Sequence, residues 1–166
     1  MARRALKRGD VLLFSVSRSQ AVALRVVALD QEDTCVVVSE WEGAAKVPWA
    51  ELRNDGRLGA IKAVTHHDKR RPMLGAWLAE APPLGVKKVG TVRLAAPEVV
   101  HPRDYVNAPE GKAAQVLPRL SWKSFLDEVR LQWRWEVERE VLLREESSRE
   151  AQGLSAFQAA VRGGGR

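Results

Sequence analysis

The chain has 166 residues, 45% of them hydrophobic and 29% charged, with 27 basic against 21 acidic side chains and a net charge of +6. That length suits one domain of ordinary size, and the composition excludes a disordered or fibrous chain. A single cysteine excludes an intrachain disulfide, and no apolar run approaches the roughly 20 residues of a membrane span, so a cytoplasmic protein is expected.

The start, MARRALKRGDVLLFS, places basic residues before VLLF. Four apolar residues fall short of the about 7 to 15 of a secretory signal core. From Asp10 to about Leu94 the apolar residues recur with a period of two. Leu12, Phe14 and Val16 form one run, Val22, Leu24, Val26 and Ala28 a second, and Cys35 and Val37 a third that continues to Trp41. Such alternation with β-branched enrichment predicts half-buried antiparallel strands. Ser17 to Gln20, Asp30 to Asp33 and Asn54-Asp55-Gly56 are the turns between them, because these residue types tolerate turn conformations. Further strands are expected at Ala60 to Thr65, Met73 to Ala79 and Val89 to Leu94, with Pro82-Pro83 breaking the chain before the last. VPWAELRND suits one short helical turn that starts at Pro48. The fold expected over residues 7–96 is mainly β, a small antiparallel barrel or a strongly bent sheet.

Residues 97–120 carry Pro97, Pro102, Pro109 and Pro118 with little periodicity, and are expected to wrap the body as an ordered connection. A long helix follows over 121–152, with Ser121 as its N-cap and no Gly or Pro inside. The tail, 153–166, is expected to be partly disordered. The basic excess lies in the body and the two ends, while the helix is slightly acidic.

RLQWRWEVER, within this helix, carries two tryptophans a single residue apart. Such residues lie about 200° apart around a helix, so they cannot share one face. With Trp133 as reference, Trp122, Leu126, Val129 and Val137 fall within about 40° of it, and Phe125, Val141 and Leu143 flank them. Trp133 is therefore expected at the core. Leu131, Trp135 and Leu142 cluster on the opposite side. Glu140 and Arg144 fall at the centre of the first stripe, so packing should stop near Arg139 and the helix should project beyond it. The outer strip is then covered either by the wrapping segment or tail of its own chain, or by another molecule, including a second copy. Its candidate contact residues are Arg130, Leu131, Arg134, Trp135 and Leu142, since tryptophan and arginine are favoured interface anchors.

Chemistry finds little support. The three histidines, His66, His67 and His101, show no metal-ligand spacing, and Cys35 lies in the apolar run TCVVVSEW, where it reads as core. No nucleophile elbow, P-loop or dinucleotide fingerprint is present. Neither catalysis, a metal nor a cofactor is expected. The loop THHDKRRP places Lys69, Arg70 and Arg71 together, which supports an alternative reading as a nucleic-acid-binding barrel. That reading lacks interleaved aromatic residues.

The opening KRGDVLLFSVSRSQAVALRVVAL, Lys7 to Leu29, and GAWLAEAPPLGVKKVGTVRL, Gly75 to Leu94, resemble bacterial immunity proteins of polymorphic toxin systems. Those proteins start with a Lys-x-Gly-Asp-Val turn into a strand and later carry a tryptophan strand, a proline break and a glycine-containing strand. The resemblance implies a small β-rich cytoplasmic protein that neutralises one toxin by stoichiometric binding. The long C-terminal helix departs from that pattern.

Overall fold

In a computed structural model, residues 5–66, 71–94, 99–107 and 115–163 are described, with the backbone alone for 105–107 and 154–163. The three apolar runs become the long strands β1 (Asp10–Ser15), β2 (Gln20–Asp30) and β3 (Asp33–Ala44), which form an antiparallel meander. The turns fall where the small polar residues stand. Gln20 donates its backbone N–H to Ser17 Oγ at 3.1 Å, and Gln31 takes a left-handed φ of 53° in the hairpin that joins β2 to β3.

The entry to β1 shows why its residue types matter. Gly9 has φ +95°, and a Cβ there would lie 2.3 Å from the carbonyl oxygen of Val92. Asp10 is fully buried and accepts from the Lys7 N–H at 2.8 Å and from the Thr91 hydroxyl at 2.9 Å, with Lys88 Nζ at 3.1 Å. The basic-Gly-Asp turn is thus clamped onto β5 (Val86–Thr91), the neighbour of β1 in the sheet.

The six-stranded sheet runs β5-β1-β2-β3-β4-β8, with β4 at Gly75–Leu78 and the short β8 at Arg119–Leu120. It is open. β5 and β8 are its edges, so the barrel alternative is corrected to the bent sheet. Register shifts interrupt the pairing of β1 with β5 once and of β2 with β3 twice, the kind of irregularity that bends a strand locally.

The strands are buried on both faces rather than one. Leu12, Phe14, Val22, Leu24, Val26, Val36 and Val38 meet the long helix α2 (Trp122–Gly163), while Val11, Leu13, Ala21 and Ala23 meet Leu52 and Leu58 on the other side. Leu52 lies in α1 (Trp49–Leu52), the helical turn that starts at Pro48, and Leu58 in a 3-10 turn (Gly56–Gly59) capped by Asp55. Further along that same side, Val27, Cys35, Val37 and Trp77 pack on Leu117 and Val99 of the wrapping segment. Two-sided cover explains the nearly unbroken apolar runs VLLF and CVVV.

The wrapping segment contains β6 (Val99–Val100), a 3-10 turn (Pro102–Asn107) and β7 (Gln115–Val116), which pairs with β6 in parallel, before β8 joins β4. The strand expected at Ala60 to Thr65 is absent as such. β4 takes the edge of β3 from Thr34 to Val37, and beyond it the segment makes one isolated bridge, Ile61 to Ser39, in which Lys62 donates its N–H to the Val38 carbonyl and Glu40 to that of Ala60, each at 2.8 Å. Val64 forms a second bridge with Arg71.

The long helix, α2 (Trp122–Gly163), begins as its sequence predicts: Ser121 Oγ accepts the Ser124 N–H at 3.1 Å. It runs on past the expected end at 152, because one exposed Gly153 within a run of good helix formers costs only about 1 kcal/mol. No helix among the described residues is long and apolar enough to cross a membrane.

Candidate docking surface on the long helix

The inner face of α2 is built by Trp122, Phe125, Leu126 and Val129, all buried against the sheet. Trp122 also donates its indole N–H to the Glu80 carbonyl at 2.7 Å. The next inward residue is polar. Gln132 is fully buried, and its Oε1 accepts the backbone N–H groups of Thr65 (2.8 Å) and His66 (3.1 Å) and the His66 Nδ1–H (3.0 Å). Its amide nitrogen donates to Thr65 Oγ1 at 2.8 Å and Glu136 Oε1 at 3.1 Å. One side chain thereby supplies partners for two backbone donors that no strand neighbour satisfies. Glu136 then binds Lys62 at 2.7 Å.

This shifts the centre of the buried stripe. Trp133, expected at its middle, is half-buried at its edge, packed on the core and donating its indole N–H to Glu42 at 2.7 Å. Packing ends at Glu136, one turn before the expected Arg139, since Val137 is already 38% exposed. The sheet face ends there too, and the polar Gln132–Glu136–Lys62 group forms its border.

The outer strip has the exposure that the wheel predicts at its two leucines: Leu131 is 43% and Leu142 59% exposed. Trp135 is half-buried. Arg134 sits 3.8 Å from Glu138, and Arg130 3.8 Å from Asp127. Arg130 also lies over the Phe14 ring, 4.8 Å from its centroid, at a cleft of ≈ 440 Å³ lined by Trp122, Leu126 and Pro83. Val141 is 47% exposed, and Leu143, 52% exposed, borders a cleft shared with Glu40, Glu42 and Arg57 of the body. Val99 and Leu117 of the wrapping segment pack on the opposite side of the sheet, away from this strip. The tail side chains around Phe157 lie outside the described residues.

The basic loop is divided. Lys69, Arg70 and His67 lie outside the described residues, and Arg71 is ion-paired with Glu128 of α2. Of the trio proposed to touch phosphates, the described member is thus engaged by a carboxylate of its own chain.

A second cluster went unread in the sequence. At the β2–β3 hairpin Asp33, almost fully buried, receives His101 Nε2 at 2.6 Å and one guanidinium nitrogen each from Arg103 and Arg119 at 3.3 Å. The Arg103 backbone N–H and Nε both point at His101 Nδ1, at 3.1 and 3.3 Å. Nδ1 is therefore an acceptor, and the ring proton sits on Nε2, facing Asp33. Ligand atoms of Asp30, His101 and Asp104 lie within 4.8 Å of one another, a spacing a metal ion could bridge. The donors of Arg103 already occupy the imidazole lone pair, so the geometry is that of a latch holding the wrapping segment to the hairpin. Cys35 is fully buried, and burial pushes its thiol up to about 12, which leaves it inert as a nucleophile.

No family model, curated protein or solved structure matches this chain.

Proposed function

We propose that this chain is a non-catalytic, cytoplasmic protein-binding module that docks through the outer side of α2. The observation that supports this reading is the helix itself: only its first third is anchored to the sheet, and Leu131 and Leu142 are exposed on its outer side, with Val141 and Leu143 exposed at its flanks. Sizeable exposed apolar surface on a folded domain marks an interaction site. Neutralisation of a toxin by stoichiometric binding is the finer reading, drawn from the resemblance of Lys7 to Leu29 and Gly75 to Leu94 to immunity proteins.

The test is affinity capture of the tagged full chain from its native cell, compared with a Leu131→Asp/Leu142→Asp variant of unchanged melting temperature. A protein recovered with the native chain and lost with the variant supports the reading. Recovery of nucleic acid that falls steeply with salt, and is unaffected by the variant, would replace it with the alternative based on Lys69, Arg70 and Arg71.

A further inference from the structure

We infer that Arg25 anchors a carboxylate-binding site, in the seam between the two covers on the face of the sheet away from α2. β2 buries seven consecutive residues, Ala21 to Val27, and Arg25 is the one among them that carries a charge. It is 6% exposed. One guanidinium nitrogen donates to the Gly59 carbonyl at 3.0 Å, and the Nε–H is buried with no acceptor among the described residues. No described carboxylate is paired with it, and burial alone pushes its pKa below the ordinary arginine value. A buried guanidinium without a counter-charge is costly, and buried arginines are rare unless paired. A water molecule would complete the hydrogen bonds but leave the charge uncompensated.

The place of Arg25 in the fold gives the counter-charge its way in. Ala23 and, one strand across, Val11 belong to the apolar cluster under Leu52 and Leu58. Val27 and, on the other neighbouring strand, Val37 belong to the cluster under Leu117 and Val99. Arg25 stands between the two, where cover by α1 and its following 3-10 turn gives way to cover by the wrapping segment. Gly59 and Ala60, at the end of that turn, are exposed. The guanidinium therefore ends near solvent, not in the sealed centre of either cluster.

The chemistry of the walls selects the ligand. The N–H groups of a guanidinium form a planar fork that matches the two oxygens of a carboxylate. The flanking side chains are apolar, so this one guanidinium has to balance the ligand's charge away from water. That suits a monoanion on a short apolar body and disfavours a phosphate dianion, which would keep an uncompensated charge. A free organic acid and the carboxyl end of a peptide share this chemistry.

Isovalerate and N-acetyl-leucine are the two probes, and an acid that binds should raise the melting temperature of the full chain as its concentration rises. Isovaleramide, N-acetyl-leucinamide and inorganic phosphate should not. The acid that binds more tightly in a calorimetric titration identifies the source as a free acid or a chain end. Arg25→Met keeps the apolar stem and removes the charge. It should melt no lower than the native chain without ligand, and should lose about tenfold or more in affinity for the acid. Arg25→Lys, which keeps the charge but not the fork, should also bind more weakly than the native chain.

A native chain that responds to neither acid overturns the inference, and so do amides or phosphate that bind as well as the acids. Equal responses of the native and Arg25→Met chains to the acids overturn it too. Should Arg25→Met melt well below the native chain while Arg25→Lys binds the acids as the native chain does, Arg25 is a structural residue and the site falls.

Discussion

The indole N–H of Trp133 reaches the carboxylate of Glu42 at 2.7 Å, and within one more turn α2 has left the sheet. Trp133 is therefore a border residue rather than the centre of the core. Trp133→Ala should cost about 2 kcal/mol, less than the 3 to 5 expected of a fully buried aromatic such as Phe125→Ala. Urea denaturation of the two variants measures the order, and equal losses would return Trp133 to the core.

Gln132 is the amide on which the segment before the basic loop depends. Gln132→Leu keeps the volume but leaves the backbone N–H groups of Thr65 and His66 without their acceptor, at a cost of about 1 to 3 kcal/mol for each buried donor. Amide exchange should accelerate at Thr65 and His66 more than in β1 to β3. Uniform acceleration would mean that the contact is global rather than local.

Asp10 couples the first turn to pH. Burial works to raise its pKa, but hydrogen bonds from the Lys7 N–H, the Thr91 hydroxyl and Lys88 outweigh it and hold the carboxyl below its ordinary value of 3.8. Because the folded pKa is lowered, the stabilisation is complete above the ordinary value and is lost as pH falls through the folded one. Asp10→Asn should lower stability at neutral pH and flatten the acid limb of a stability-versus-pH curve. An acid limb identical to that of the native chain would show that Asp10 contributes nothing there.

Gly9 cannot be replaced cheaply. Its φ of +95° strains any L side chain, and a Cβ would press on the Val92 carbonyl. Gly9→Ala should destabilise by more than about 1 kcal/mol, whereas Gly85→Ala, with open space around it, should change little. Thermal melts of the pair separate backbone strain from a general intolerance to substitution.

Much of this architecture was legible in the residues because it is written locally. Alternation in β1, β2 and β3, the turn residues at Ser17 and Asp30, the Pro48 helical turn and the Ser121 cap each depend on a few neighbours in the chain. The outer position of Leu131 and Leu142 likewise follows from helical geometry alone. The strand expected at Ala60 to Thr65 failed because a β-pattern says nothing about which edge is free: β4 pairs with Thr34 to Val37 of β3, and the segment meets the next residues only through the single bridge of Ile61 to Ser39.

The sequence by itself determined the elements, the helix and its two unlike faces, since propensity and periodicity act over one or two turns. Only the tertiary structure decided that the sheet stays open, that a glutamine rather than a tryptophan ends the buried stripe, and that His101 closes on Asp33. Those outcomes join groups more than sixty residues apart: Gln132 to Thr65, Trp133 to Glu42, His101 to Asp33. A polar side chain is worth burying only when its partner is already in place, and no local pattern carries that information.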